Sequence, residues 1–187
     1  MDFSLSEEQL LLRESVEKYV ADHGGVERHR QLSNSELGYD QQAWASFAEL
    51  GWLAFPFSEA DGGLGGSASD LMVLSEALGK GLVREPYLHC AITCGGLLSI
   101  AASEAQRAEW IPALMAGQSQ WAFAFAEPPS GYDFEAIDTR VEQVDGGYQL
   151  NGSKIAVMNG HAADLFIVTA QVGADAELGL LAVPADQ

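Results

Sequence analysis

The sequence has few positive charges, only two cysteines and no long apolar run. Nine lysine and arginine residues face 27 aspartate and glutamate residues, which gives a net charge of −18. Such a field repels nucleic-acid phosphates and anionic lipid headgroups, so we expect neither nucleic acid nor a membrane surface as a partner. No apolar run approaches the roughly 18 residues of a membrane-spanning helix, and the amino terminus lacks a secretory signal. We therefore expect a cytoplasmic protein.

The two cysteines, Cys90 and Cys94, lie four residues apart on a predicted helix, where they would share one face. In a reducing compartment this arrangement favours two buried thiols over a disulfide or a metal site. No histidines and cysteines have metal-site spacing, and no Ser-His-Asp arrangement is recognisable. We expect no metal.

The remaining composition is that of a globular protein. Of the 187 residues, 48% are hydrophobic and 19% are charged. This length is sufficient to bury a core in one large or two small domains.

The first two thirds of the sequence carry helix-start signals. Ser6, either Ser69 or Ser67, and Ser103 each precede an apolar run with helical spacing, and glutamine follows Ser6 and Ser103 three residues later, as in a capping box. Pro86 is well placed to start a long apolar helix. Pro112, inside the helix that follows Ser103, predicts a kink or a break there.

A glycine cluster, Gly62-Gly63-Leu64-Gly65-Gly66, interrupts the helical pattern. A phosphate-binding loop would end in Gly-Lys-Ser or Gly-Lys-Thr, and this cluster does not. We interpret it as a connection in which glycine permits positive φ before the next helix.

Alternation with period two begins after Gln118. Trp121, Phe123 and Phe125 alternate with alanines, and residues 165–172 and 178–183 form further apolar runs. This period is typical of β-strands.

Turn residues separate these runs and support a β-domain. Asp145-Gly146-Gly147 lies between two short alternating runs and indicates a tight hairpin turn. We therefore expect a helical domain over residues 1–118 and a β-domain over residues 119–187.

Three segments occur in an order that resembles the acyl-CoA dehydrogenase family. They are Ala124–Asp133, which contains Glu127-Pro128; Gly147–Lys154, which ends in Gly-Ser-Lys; and Val157–Gly160, which ends in Asn-Gly. Family members carry a Thr-Glu-Pro-x-x-Gly-Ser-Asp-like segment, a Gly-x-Lys turn and a Thr-Asn-Gly-like segment in that order. The resemblance covers essentially the whole chain and the first half of a typical member. It implies an α+β multidomain fold: an all-α amino-terminal helical domain and an incomplete antiparallel β-domain, with the carboxy-terminal four-helix domain absent.

The resemblance also implies FAD as the cofactor and assigns positions to it. Phe125 and Ala126 stand where the family strand lies against the flavin, and Ala126 replaces a threonine whose hydroxyl bonds the ring. Tyr132 replaces a serine that reaches the flavin pyrophosphate and the CoA part of the substrate. Ala156 and Met158 replace a ring-stacking aromatic residue and a second threonine. Backbone contacts would survive while side-chain contacts are lost, which leaves open whether FAD is bound weakly or shared with a partner subunit.

Other matching positions imply scaffold and substrate roles. We interpret Glu127 and Asp133 as scaffold residues that cap backbone amides, and Lys154 also belongs to this scaffold. By the resemblance, His89 and Thr93 line the acyl-chain chamber. A lone histidine on an apolar helix is also compatible with a simple core residue.

Two functions remain open at this point. The first is an FAD-dependent acyl-CoA dehydrogenase in its complete form, acting on an acyl-CoA substrate, although this truncated chain would be inactive alone. The second is a flavin-poor, non-catalytic subunit of a heteromeric dehydrogenase. The family forms homo- or hetero-oligomers and commonly passes electrons to an electron-transferring flavoprotein. The family's catalytic base lies beyond the matched region, so no residue here is assigned as catalytic.

Overall fold

The computed structural model describes residues 4–128, 130, 133, 135–173 and 175–187. The chain divides into two compact units, Met1–Gln118 and Ser119–Gln187. Within the described residues, no helix has both the length and the apolar character needed to cross a membrane. No group of three or more histidine, cysteine, aspartate or glutamate residues in this part of the chain could hold a metal ion.

The first unit is helical. Its elements are α1 (Glu7–His23), α2 (Val26–Ser33), α3 (Gln41–Glu49), α4 (Ala68–Lys80), a π-helix (Tyr87–Cys94) continuing directly into α5 (Gly95–Ala101), α6 (Glu104–Met115), and short 3₁₀ turns at Trp52–Ala54 and Glu59–Asp61. The capping boxes at Ser6 and Ser103 are confirmed, and Ser67 forms a third one with Asp70. α6 continues through Pro112, with Ile111 and Leu114 buried on either side of it.

An aromatic cluster and a buried ion pair stabilise the helical unit. The rings of Tyr19, Phe47 and Trp52 pack with centroids 4.8–5.6 Å apart. The Glu85 carboxylate, with 1% of its side chain exposed, accepts a hydrogen bond from the Arg28 guanidinium at 2.5 Å. Burial of a carboxylate is tolerated here because a guanidinium neutralises it.

The glycine cluster is a packed turn. Gly62 and Gly65 have φ values of +83° and +66°, which confirms the expected positive φ. The amides of Gly65 and Gly66 donate to the carbonyls of Phe57 and Phe55 at 2.8 Å. These bonds attach the turn to the preceding 3₁₀ region.

The apolar helix expected after Pro86 begins as a π-helix. The Thr93 hydroxyl donates to the Leu88 carbonyl, five residues earlier, at 2.9 Å. The backbone hydrogen bonds of a π-helix also span five residues, so this side-chain bond favours the wider turn. Cys90 and Cys94 on this helix are buried thiols, as expected.

The second unit contains β1 (Trp121–Ala124), β2 (Arg140–Val144), β3 (Gly147–Asn151), β4 (Leu165–Val172) and β5 (Glu177–Pro184), with a 3₁₀ turn at Gly160–Ala162. β4 is central: it pairs with β1 and β2 in parallel and with β5 in antiparallel orientation. β2 and β3 form the expected hairpin, with Val144 opposite Gly147.

The order of a helical domain and a partial β-domain is confirmed, but the sheet is mixed, which corrects the expectation of an antiparallel one. Hairpin turn signals report only the pairing of neighbouring strands. β1 and β4 are separated by a long connection, and such connections allow parallel pairing.

Candidate functional site

The candidate site is the backbone that follows β1. The β1–β4 register ends with Ala124 opposite Val168, and residues 125–127 continue beyond the ladder. The Ala126 carbonyl accepts a hydrogen bond from the Ile155 amide at 2.9 Å. Two segments that are distant in sequence, and that match separate family motifs, therefore lie side by side.

A buried ion pair joins these segments. The Lys154 ammonium donates to Glu127 Oε1 at 2.6 Å, to Thr169 Oγ1 at 2.8 Å and to the Phe125 carbonyl at 3.3 Å. The side chains of Glu127 and Lys154 are 2% and 9% exposed. All three ammonium donors thus have acceptors, which offsets the cost of burying the charge.

The Glu127 carboxylate also holds the chain that leads into β2. Its Oε2 accepts from the Asp138 amide at 2.7 Å and its Oε1 from the Thr139 amide at 3.1 Å. The interpretation of Glu127 as a cap of backbone amides therefore agrees with the observed bonds. Burial alone would raise the pKa of Glu127, but the bonds from Lys154 and from the two amides outweigh it and lower the pKa to about 2.

Apolar side chains on and just after these two segments are exposed. Phe125, Ile155 and Met158 are 36%, 45% and 57% exposed, and the Phe125 ring stacks on that of Phe123 with centroids 5.0 Å apart. Ala156, also exposed, has φ +51°, a left-handed conformation that is uncommon for alanine. The segment that contains Ala156 and Met158 therefore turns sharply while its side chains face solvent.

These residues fit a flavin in one respect and not in another. The exposed apolar side chains of Phe125, Ile155 and Met158 suit the face of a planar aromatic ring. Ala126, Ala156 and Met158 offer no hydroxyl to its polar edge. The carbonyls of Phe125 and Ala126 already accept bonds within the unit.

The other predicted site residues are distributed as follows. Tyr132 lies outside the described residues. His89 and Thr93 lie on the π-helix of the helical unit and are half-buried. Burial lowers the pKa of His89, so its imidazole is neutral at pH 7. The hydroxyl of Thr93 is already used in the bond to Leu88.

The sequence did not predict the hydrogen bonds of Lys154, or that Thr169 is one of its acceptors. The motif positions of Glu127 and Lys154 were visible, but their pairing depends on how two distant segments meet. Thr169 lies inside an apolar strand run and gave no signal.

Comparisons with known proteins agree with this architecture. The family described as acyl-CoA dehydrogenase, N-terminal domain, matches residues 6–118, and acyl-CoA dehydrogenase, middle domain, matches residues 122–187. The mitochondrial isovaleryl-CoA dehydrogenase of Pongo abelii is 30% identical over 185 residues, which cover 98% of this chain and 42% of that protein.

Solved structures give the same result. A chain of the ChsE4-ChsE5 complex from Mycobacterium tuberculosis aligns with a TM-score of 0.86 at 25% identity, over 99% of this chain and 49% of that one. A structure of PigA with FAD and proline aligns with a TM-score of 0.84 at 28% identity, over 99% of this chain and 50% of that one. The chain spans about half the length of these relatives. Because two family models together match nearly its whole length, this chain belongs to the acyl-CoA dehydrogenase family.

Proposed function

We propose that this chain supplies the amino-terminal and middle-domain parts of an FAD-dependent acyl-CoA dehydrogenase. The observation that carries the proposal is the pairing of residues 125–127 with residues 154–155 beside exposed apolar side chains. This arrangement provides backbone and an apolar surface for a flavin ring. When bound, FAD would accept the hydride that leaves the β-carbon of an acyl-CoA thioester.

The residues of the β unit would bind and orient the ring. Phe125, Ile155 and Met158 would contact its apolar face, and their side chains would exclude water there. The backbone of Phe125 and Ala126 would hydrogen-bond its edge. Tyr132 and Ala156 remain proposed contacts from the resemblance alone.

The helical unit would contribute to the acyl-chain chamber. His89, neutral at pH 7, would present an uncharged polar group to an acyl chain, and Thr93 would line the same wall through its methyl group. No residue of this chain is proposed as the base that takes the α-proton. That group would come from the half of the family fold that the alignment does not cover.

A second candidate is a flavin-poor subunit that pairs with a catalytic relative. The loss of side-chain hydroxyls at Ala126 and Met158, and of an aromatic ring at Ala156, favours this candidate. Two or three missing hydrogen bonds at about 1 kcal/mol each weaken a ligand by one to two orders of magnitude. The ChsE4-ChsE5 complex is by its title a two-component assembly.

The β unit is poor in positive charge. Arg140 and Lys154 are the only lysine or arginine residues between 119 and 187, and Lys154 is used by Glu127. The β unit would therefore contribute few cations to the phosphates of FAD and CoA, and most cationic contacts would come from outside this unit.

The test is the visible spectrum of the purified protein, expressed alone and together with a dehydrogenase encoded beside it. A flavin band near unit occupancy in the protein expressed alone supports the first candidate and eliminates the flavin-poor one. A colourless protein that becomes yellow only with its neighbour supports the second. Absence of flavin in both preparations contradicts the proposal that this chain participates in an FAD site.

A further inference from the structure

The segment that the proposed function places against FAD lies beyond the end of the β1–β4 ladder. The β1–β4 ladder ends at Ala124. Beyond it, the Ala126 carbonyl accepts from the Ile155 amide at 2.9 Å, and the Glu127 carbonyl accepts from the Ser130 amide at 3.2 Å within the following turn. Residues 125–127 precede a turn, so they need side-chain contacts to keep a fixed position.

Lys154 provides such contacts to three acceptors. Its ammonium bonds the Phe125 carbonyl directly, Glu127 two residues later, and Thr169 on the central strand β4. Glu127 extends the connection to the amides of Asp138 and Thr139. One buried cation therefore fixes the candidate segment to the centre of the sheet and to the chain that enters β2.

We propose that Lys154 is a positioning residue, whose buried pair with Glu127 holds the Phe125–Ala126 backbone in the place where FAD binds. This inference rests on the proposed function for the identity of the ligand, but not for the positioning itself. Lys154 acts through the backbone and needs no contact with the ring. Loss of the cation removes the 3.3 Å bond to the Phe125 carbonyl, which also accepts from the Thr169 hydroxyl at 3.5 Å, and it leaves the Glu127 carboxylate buried without its partner.

Hydrogen exchange of the Ile155 amide, followed by NMR in the full chain, tests the positioning. In Lys154→Met we expect its protection to fall at least tenfold, while the amides of the β4–β5 ladder change less than twofold. Lys154→Arg keeps the charge and should recover most of the protection. Unchanged protection in Lys154→Met, or an equal loss throughout the β4–β5 ladder, overturns the proposal.

Two further variants separate positioning from general destabilisation. Arg28→Met removes the cation of the other buried ion pair, in the helical unit, and should leave the Ile155 amide unchanged. Glu127→Gln/Lys154→Met carries no buried charge, so it remains measurable where Lys154→Met fails to fold. Positioning by Lys154 predicts that Ile155 stays deprotected in the double variant. Full protection of the Ile155 amide in the double variant means that the loss in Lys154→Met comes only from the unpaired Glu127 charge. That result overturns the proposal.

Titration with FAD distinguishes failure of the inference from failure of the function. We expect Lys154→Met to bind FAD at least tenfold more weakly than the unmodified chain, and Lys154→Arg to recover part of this loss. If Lys154→Met binds FAD as tightly as the unmodified chain, the positioning role is wrong and the proposed function stands. If the unmodified chain binds no FAD, alone or with its neighbour, while Ile155 still loses protection in Lys154→Met, the positioning is supported and the proposed FAD function fails.

Discussion

At the scale of single residues, Glu127 shows most clearly how neighbouring groups change the pKa of a side chain. Its carboxylate is buried, yet the Lys154 ammonium and two backbone amides keep it ionised. A buried carboxylate with a raised pKa would suit a proton acceptor at neutral pH. This one, with its pKa lowered to about 2, is a structural anion instead.

The lowered pKa predicts a loss of stability in acid. The folded protein binds the Glu127 proton more weakly than the unfolded chain, whose reference pKa is 4.5. The contribution of the ionised Glu127 carboxylate to the free energy of unfolding is therefore complete above pH 4.5. It disappears as the pH falls towards about 2. It is on the order of 3 kcal/mol for a shift of this size. Urea unfolding between pH 6 and pH 3 should show a steeper decline for the unmodified chain than for Glu127→Gln. Parallel pH curves would contradict this assignment.

Two glycines of the helical unit should respond oppositely to alanine. A Cβ at Gly63 would lie 2.3 Å from the Phe57 carbonyl oxygen, whereas a Cβ at Gly79, inside α4, would meet nothing within 4 Å. We expect Gly63→Ala to lose about 1–3 kcal/mol through overpacking. Gly79→Ala should gain about 0.5–1 kcal/mol through helix propensity. Urea unfolding measures both variants. A neutral Gly63→Ala would mean that the turn relaxes around the methyl group.

At the scale of elements, local signals predicted helix starts better than helix type. The capping boxes at Ser6 and Ser103 are readable because the two interacting residues are three apart in sequence. The π-helix was not predicted, because periodicity assumes the α-helical repeat. The parallel pairing of β1 with β4 was missed for a related reason: it depends on a long connection rather than on a turn.

The Thr93 hydroxyl should contribute measurably to the π-helix. Thr93→Val keeps the shape of the side chain and removes the bond to the Leu88 carbonyl. We expect a loss of about 1 kcal/mol in the free energy of unfolding. Thr93→Ser retains the hydroxyl and should lose less. Equal stability of Thr93→Val and the unmodified chain would show that the hydroxyl does not support this turn.

At the scale of the whole molecule, family membership was predictable because the motifs lie in a specific order along one chain. The geometry of the candidate site was only partly predictable. Motif positions identified Phe125 and Ala126, but not the buried lysine beneath them, since that contact requires two segments to meet in three dimensions. The acidic composition predicts that nucleic acid and membrane surfaces are not partners, and this stays a prediction.

The most direct test of the account is the affinity for FAD when the missing hydroxyl is restored. Ala126→Thr should bind FAD about fivefold more tightly than the unmodified chain, since one added hydrogen bond contributes about 1 kcal/mol. Ala126→Val has nearly the same shape without the hydroxyl, and it should show no gain. Fluorescence titration with FAD, in the presence of the partner if one is required, measures all three proteins. A selective gain in Ala126→Thr supports an FAD ring at this segment. Equal affinities for the threonine and valine variants would contradict it.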